Sequence, residues 1–86
     1  MEVSVDLTLS PLQDDYEDQI IAFIKRLRAS NFRVIENALS TQLFGEYDAV
    51  MSFLNAEIKR SFEAVDIAVL TMKIVKTNRS DYEPDF

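Results

Sequence analysis

The stretch Ser40–Met51, STQLFGEYDAVM, changes its periodicity partway along. Up to Gly45 the side chains alternate, with Thr41 and Leu43 on one side and Ser40, Gln42 and Phe44 on the other, the period of a strand. From Tyr47 onward, Val50, Met51 and Leu54 recur at the three- and four-residue spacing of a helix. The chain's one glycine, Gly45, stands at the handover. It shares the parity of Leu43, the inward side. A residue without a side chain there lets the start of the helix approach the sheet closely.

Working outward from this junction gives the remaining elements. Glu2–Leu9 alternates cleanly, with Val3, Val5, Leu7 and Leu9 on one face and Glu2, Ser4, Asp6 and Thr8 on the other. That is a half-buried strand, and Ser10-Pro11 is a turn signal that ends it. Tyr16, Ile20, Phe23, Ile24 and Leu27 then fall at helical spacing, and Ile21 widens the stripe. Asp14, Asp15, Glu17 and Asp18 crowd the helix start, and Lys25, Arg26 and Arg28 its end, both matched to the helix dipole. Asn31 follows, a residue that tolerates a left-handed C-cap. Phe32–Ala38 and Leu39–Gly45 read as two strands joined as a hairpin around Asn37–Ser40. In the second helix Tyr47, Val50, Met51, Leu54, Ile58, Phe62 and Val65 form the stripe. Phe53 lies off it, which predicts contact with another subunit or a loop. Asp66–Lys76 is a fourth strand, apolar on both faces.

The order is β-α-β-β-α-β. Right-handed crossovers place both helices on one face of a four-stranded antiparallel sheet. This is a ferredoxin-like α+β sandwich. Residues 1–76 form the single domain, and residues 77–86, TNRSDYEPDF, are a polar tail, either loose or docked on a partner. The face away from the helices carries Ser4, Asp6, Thr8, Arg33, Ile35, Asn37, Gln42 and Phe44. A strand apolar on both faces is ordinarily buried on both. The fourth strand therefore predicts a cover for the open face, most simply another copy of the chain.

Composition narrows the function. The chain has 86 residues, no Cys and no His. Disulfides, thiolate nucleophiles, Cys-based zinc sites and a Ser-His-Asp triad are excluded. Any catalysis would fall to carboxylates, Lys or Tyr. The net charge of −6 repels phosphate backbones and argues against nucleic acid as a partner. No apolar run reaches the roughly 18 residues of a membrane span, and the N-terminus lacks a signal-peptide pattern, so the expectation is a cytoplasmic protein without a membrane partner. The acidic run Gln13–Asp18 lacks the alternate ligands and central Gly of a calcium loop and reads as dipole complement. Other uses of this fold are also disfavoured. An RNA-recognition surface needs stacking aromatics in a basic surround. An acylphosphatase-like loop would have to bind phosphate in the acidic SPLQDDYED. Heavy-metal carriers use a Cys pair. No cofactor or metal is expected.

One region gathers varied polar chemistry. Asn37, Ser40, Thr41, Gln42, Glu46 and Tyr47 surround the hairpin and the strand-to-helix turn, offering hydroxyls, amides and a carboxylate that can donate and accept. Two readings stay open, a small-molecule site or hairpin and capping chemistry. By alternation these residues cannot all line one pocket within one subunit.

The segment NALSTQLFGEYDAVM resembles the signature of the YkoF-type thiamine- and hydroxymethylpyrimidine-binding proteins. The matching residues are Asn37, Ser40, Thr41, Gln42, Phe44, Gly45, Glu46, Tyr47 and Asp48, with Leu39 where Met is common. The likeness extends over about Val3 to Val75. It implies a ferredoxin-like domain that self-associates to a dimer or tetramer, and non-catalytic capture of thiamine or its pyrimidine precursor for salvage or transport. Under that implication, Asn37, Ser40, Thr41 or Gln42 would meet an aminopyrimidine. Glu46 or Asp6 would face an amine or the thiazolium cation, and Phe44 or Tyr47 would stack on a flat ring. The rival reading is an oligomeric regulatory or structural module with no ligand of this class.

Overall fold

The computed structural model describes residues 1–86. Its elements are β1 (Glu2–Pro11), α1 (Tyr16–Arg28), β2 (Arg33–Glu36), β3 (Thr41–Glu46), α2 (Tyr47–Glu63) and β4 (Ala68–Lys76). The sheet order is β2-β3-β1-β4, antiparallel throughout. This is the ferredoxin-like arrangement that the alternation predicts.

The core forms where the inward residues of the sheet meet the apolar stripes of the helices. Val3, Val5, Leu7 and Leu9 of β1 and Leu43 of β3 are buried against Phe23 and Leu27 of α1 and Val50 and Leu54 of α2. The helices are tied by one polar clamp. The Arg26 guanidinium donates to Glu57 Oε2 and to Ser61 Oγ, both at 2.6 Å, and Ser61 is buried. No helix is long and apolar enough to cross a membrane.

Several local readings change. β1 does not stop at Leu9 but continues through Ser10 and Pro11, paired with Val69 and Ala68. Leu12 N–H donates to Ile67 O, so the alternating N–H of position 11 would point away from β4. β3 pairs with β1 only as far as Leu7, and the proline there interrupts no ladder. The first helix closes on Ala29 in the right-handed region. Asn31 takes no left-handed conformation; the Ser30 hydroxyl instead donates to Leu27 O at 2.6 Å.

The buried face of α2 is rotated from the expected stripe. At about 100° per residue, Ser61 lies about 20° from Leu54 around the axis, whereas Phe62 lies about 80° away. Ser61 is accordingly buried and Phe62 is exposed. Phe53, on the opposite flank, meets Phe32 in the connection before β2, ring centroids 5.5 Å apart, which is the loop contact of the two expected. β4 is an edge strand, so in the single chain Val69, Met72 and Ile74 remain exposed.

Gly45 pairs with Val3 and so faces the helices. A Cβ built on it would lie 2.7 Å from Phe32 Cδ1 and 3.1 Å from Val50 Cγ2. Its φ is not positive, so the requirement is space and not backbone conformation. Val50 is fully buried and the Phe32 ring is held by Phe53, so neither neighbour moves freely. Gly45→Ala is expected to destabilise the fold by about 1–3 kcal/mol. Thermal denaturation should show a midpoint lower by about 4–8 °C per kcal/mol, and an unchanged midpoint would contradict the packing.

Candidate functional site

The pairing registers set side chains in rows across the uncovered face. Ile35 pairs with Gln42, Gln42 with Asp6, and Asp6 with Lys73. These four residues form one row spanning all four strands, roughly 14 Å at the usual strand spacing. The adjacent row is Arg33, Phe44, Ser4 and Val75.

The chain leaves β4 and crosses this second row. Ser4 Oγ donates to Thr77 O at 2.7 Å and accepts from Arg79 N–H at 2.8 Å. Arg33 donates to Ser80 Oγ and Asp81 Oδ1. Ser4 and Arg33 flank Phe44 in the row, so residues Thr77–Tyr82 form a strap that passes over it. Phe44 is therefore only 7% exposed although it faces away from the helices. Part of the cover expected for the open face is thus the chain's own C-terminal segment.

Strap and rows enclose a cleft of about 480 Å³, within the roughly 300–1,000 Å³ typical of small-molecule sites. Asp6, Gln42, Lys73 and Ile35 lie along its floor with Phe44 and Val75, and Arg79, Ser80 and Tyr82 form the strap side. Asp6 is the most organised polar group. Its Oδ1 accepts from Ser40 Oγ at 2.5 Å and from Gln42 Nε2 at 2.9 Å. Gln42 Nε2 also donates to Ser40 Oγ at 2.6 Å. The hydrogen bond from Ser40, and next that from Gln42, hold the Asp6 carboxyl below its usual value; partial burial opposes this and Lys73 adds to it. The second Asp6 oxygen makes no hydrogen bond within the chain, which leaves a charged acceptor available at the cleft.

The residues singled out from sequence separate into three places. Asp6, Gln42 and Phe44 line the cleft, and Ser40 joins them through its bonds to Asp6 and Gln42. Asn37, Ser40 and Thr41 border a second cavity, about 240 Å³, between the hairpin and α1. Asn37 Oδ1 accepts from the N–H groups of Leu39 and Ser40, shaping the hairpin loop, while Thr41 faces inward and is buried. Glu46 and Tyr47 stand at the opposite end of β3. Glu46 caps α2 by accepting from Ala49 N–H at 3.0 Å. That bond first, then one from Asp48 N–H, holds its carboxyl below the usual value. Neither Glu46 nor Tyr47 lines the cleft.

Sequence reasoning did not single out Lys73, Val75, Arg79, Ser80 and Tyr82. Lys73 becomes visible once β4 is set in register with β1, directly opposite Asp6. The strap has no periodicity to reveal it. No three or more acidic side chains converge on a point that would hold a metal ion.

The model of the YKOF-related family matches residues 2–79, and the chain belongs to that family. No curated protein matches. Among solved structures, a Streptococcus pneumoniae protein superimposes with a TM-score of 0.84 at 22% identity, covering 91% of this chain and 89% of that one. A Thermotoga maritima protein, described as a candidate for thiamine biosynthesis or salvage, gives a TM-score of 0.81 at 16% identity, covering 90% of this chain and 85% of that one. A hypothetical protein from Methanocaldococcus jannascii gives a TM-score of 0.76 at 23% identity, covering 95% of this chain and 84% of that one. At these identities the likenesses establish the fold.

The Asp6 network has a pH signature. Its folded carboxyl titrates below the unfolded value of about 3.9, so its stabilising contribution is present above that pH and is lost as pH falls through the folded value. Carbon-detected NMR titration should place the Asp6 midpoint below about 3.9, and Ser40→Ala should raise it. A midpoint at or above the ordinary value would contradict the hydrogen-bond geometry.

Proposed function

We propose that this member of the YKOF-related family is a non-catalytic, cytoplasmic binding protein for thiamine or a related aminopyrimidine such as hydroxymethylpyrimidine, with a role in salvage or transport, and that the cleft on the open sheet face is the ligand site. The reading rests on the Asp6–Ser40–Gln42 network. A carboxylate with one oxygen fixed by two donors and the other uncommitted suits the exocyclic amine, the donor that an aminopyrimidine presents. Charge-assisted bonds of this kind are roughly twice as strong as neutral ones. Tyr82 offers an exposed aromatic surface for a flat ring, and Phe44, largely covered by the strap, contributes to the apolar floor. The description of the Thermotoga maritima neighbour points to the same class of ligand. The acidic chain, with no His or Cys, favours capture over turnover and disfavours nucleic acid.

Self-association to a dimer or tetramer belongs to this proposal. β4 leaves one backbone edge unpaired, and Val69, Met72 and Ile74 on it and Ile67 just before it are exposed, with Phe62 nearby on the helix side. Such an edge is a template for pairing with another strand. The same surface supports the second reading, an oligomeric regulatory or structural module with no ligand of this class.

Isothermal calorimetry with thiamine and hydroxymethylpyrimidine separates the two. Saturable binding is expected, weakened at least about tenfold by Asp6→Asn, since a hydrogen bond to a charged group contributes about 1.5–3 kcal/mol. No heat with either compound at millimolar concentration overturns the ligand reading. For assembly, sedimentation at micromolar concentration should show a dimer or tetramer that Ile74→Lys dissociates. A wild-type monomer would remove self-association from the proposal.

A further inference from the structure

The cleft is positively charged although the chain is acidic. Lys73 and Arg79 line it against one carboxylate, Asp6, in a molecule whose net charge is −6. Neither cation belongs to an ion pair in the chain; Lys25, Arg60 and Lys76 are also unpaired, but only Lys73 and Arg79 line the cleft. Asp81, the strap's own acid, is already engaged by Arg33. The Arg79 guanidinium lies over the Tyr82 ring, its carbon 5.0 Å from the centroid. A guanidinium attracted to a ring face keeps its N–H donors free for another partner, and the fork they form matches a phosphate. Lys73 supplies a compact charge from the floor. Two unpaired cations from different segments, on the strap and on β4, thus border one cavity.

Size and layout agree. A cavity of about 150 Å³ suffices for a benzene-sized ring, so a cleft of about 480 Å³ has room for a ring and an arm. Along the floor the order is Ile35, Gln42, Asp6, Lys73. A ring whose amine meets Asp6 and whose face lies towards Phe44 would direct a substituent towards β4 and the strap, where Lys73 and Arg79 stand.

We infer that the preferred ligand carries an anionic arm, and that Lys73 and Arg79 form a phosphate-receiving end of the cleft, so that a phosphomonoester of the aminopyrimidine binds more tightly than the free alcohol or cationic thiamine. This rests on the proposed ligand class and deepens it. An uncharged hydroxymethyl group would offer no charge to either cation, leaving Arg79 without an anion and Lys73 with only Asp6. A thiazolium would be set beside them with only Asp6 to offset the repulsion.

Calorimetry at low and moderate salt with hydroxymethylpyrimidine, its monophosphate, thiamine, thiamine monophosphate and inorganic phosphate tests the assignment. The monophosphate should bind about tenfold or more tightly than the free pyrimidine, and added salt should narrow the gap. Lys73→Gln and Arg79→Gln should each move the ratio of the two affinities towards one. Lys25→Gln, which changes the net charge equally on the far side of the molecule, should leave the ratio unchanged. Tighter binding of thiamine monophosphate than of thiamine would extend the same arm to the larger ligand. Equal affinity for phosphorylated and free pyrimidine overturns the inference and leaves the binding reading standing. Binding of inorganic phosphate alone, lost in Lys73→Gln, overturns the aminopyrimidine reading while retaining the anion end. No binding of any compound overturns both.

Discussion

The pleat of β1 is the constraint on which the rest of the molecule depends. It pairs with β3 on one side and β4 on the other, so its alternation is imposed on three strands at once. Val3, Val5, Leu7 and Leu9 turn to the helices, and Ser4 and Asp6 turn to the cleft. A slip of one residue would exchange these sets. It would carry Asp6 into a core of Leu and Val, and the buried positions resist that strongly because an unpaired charge is costly in an apolar interior. Packing on one face thereby fixes the chemistry of the other, with no separate device needed to hold Asp6 opposite Gln42 and Lys73.

Where a residue's place follows from its own strand or helix, the sequence was a sufficient guide. Element order, the inward set of β1, the hairpin around Asn37–Ser40 and the packing role of Gly45 all come from local periodicity. So do Asp6, Gln42 and Phe44 as members of one face. What local periodicity does not contain is register between distant strands. Lys73 and Asp6 are far apart in the chain, and only the pairing of β1 with β4 makes them neighbours. The strap is harder still. Thr77–Tyr82 is polar, with no repeat and no apolar stripe, and it is placed by side-chain bonds to Ser4 and Arg33 on strands much earlier in the chain. Glu46 and Tyr47 show the opposite limit. Their closeness in sequence to Ser40–Gln42 suggested a shared site, but β3 carries them to the far end of the sheet.

The two surfaces of β4 serve different ends. Towards the uncovered face, Lys73 and Val75 line the cleft. On the opposite parity Met72 and Ile74 face the helix side, yet no helix covers them at the sheet's edge, and both stay exposed. An exposed apolar edge strand is a hazard in a monomer, and natural proteins usually blunt it with charge, proline or a bulge. Lys73 and Lys76 are the only charged residues of β4, and Lys73 is turned into the cleft. This division explains why the fourth strand reads as apolar on both sides although the chain alone buries neither side fully.

The strap's geometry indicates which of its anchors matters. Thr77 adopts φ 153° as the chain leaves β4, a conformation that is strained for a β-branched residue by about 1–3 kcal/mol. Something must offset that. The Arg33–Asp81 pair is a weak candidate, because both side chains are more than half exposed and an ion pair in water contributes at most about 1 kcal/mol. Ser4 is better placed. Ser4 is 9% exposed, and its hydroxyl makes two bonds to the strap backbone, one each to Thr77 and Arg79. At about 1 kcal/mol each, with a further penalty for leaving buried groups unpaired, they match the strain. A valine at position 4 would suit β1 as a strand equally well and would lose both bonds. The small polar residue there ties Arg79 and Tyr82 into place, and with them one wall of the cleft. The site is held from below by the alternation of β1, and the strongest tie of the strap above it is a hydroxyl on that same strand.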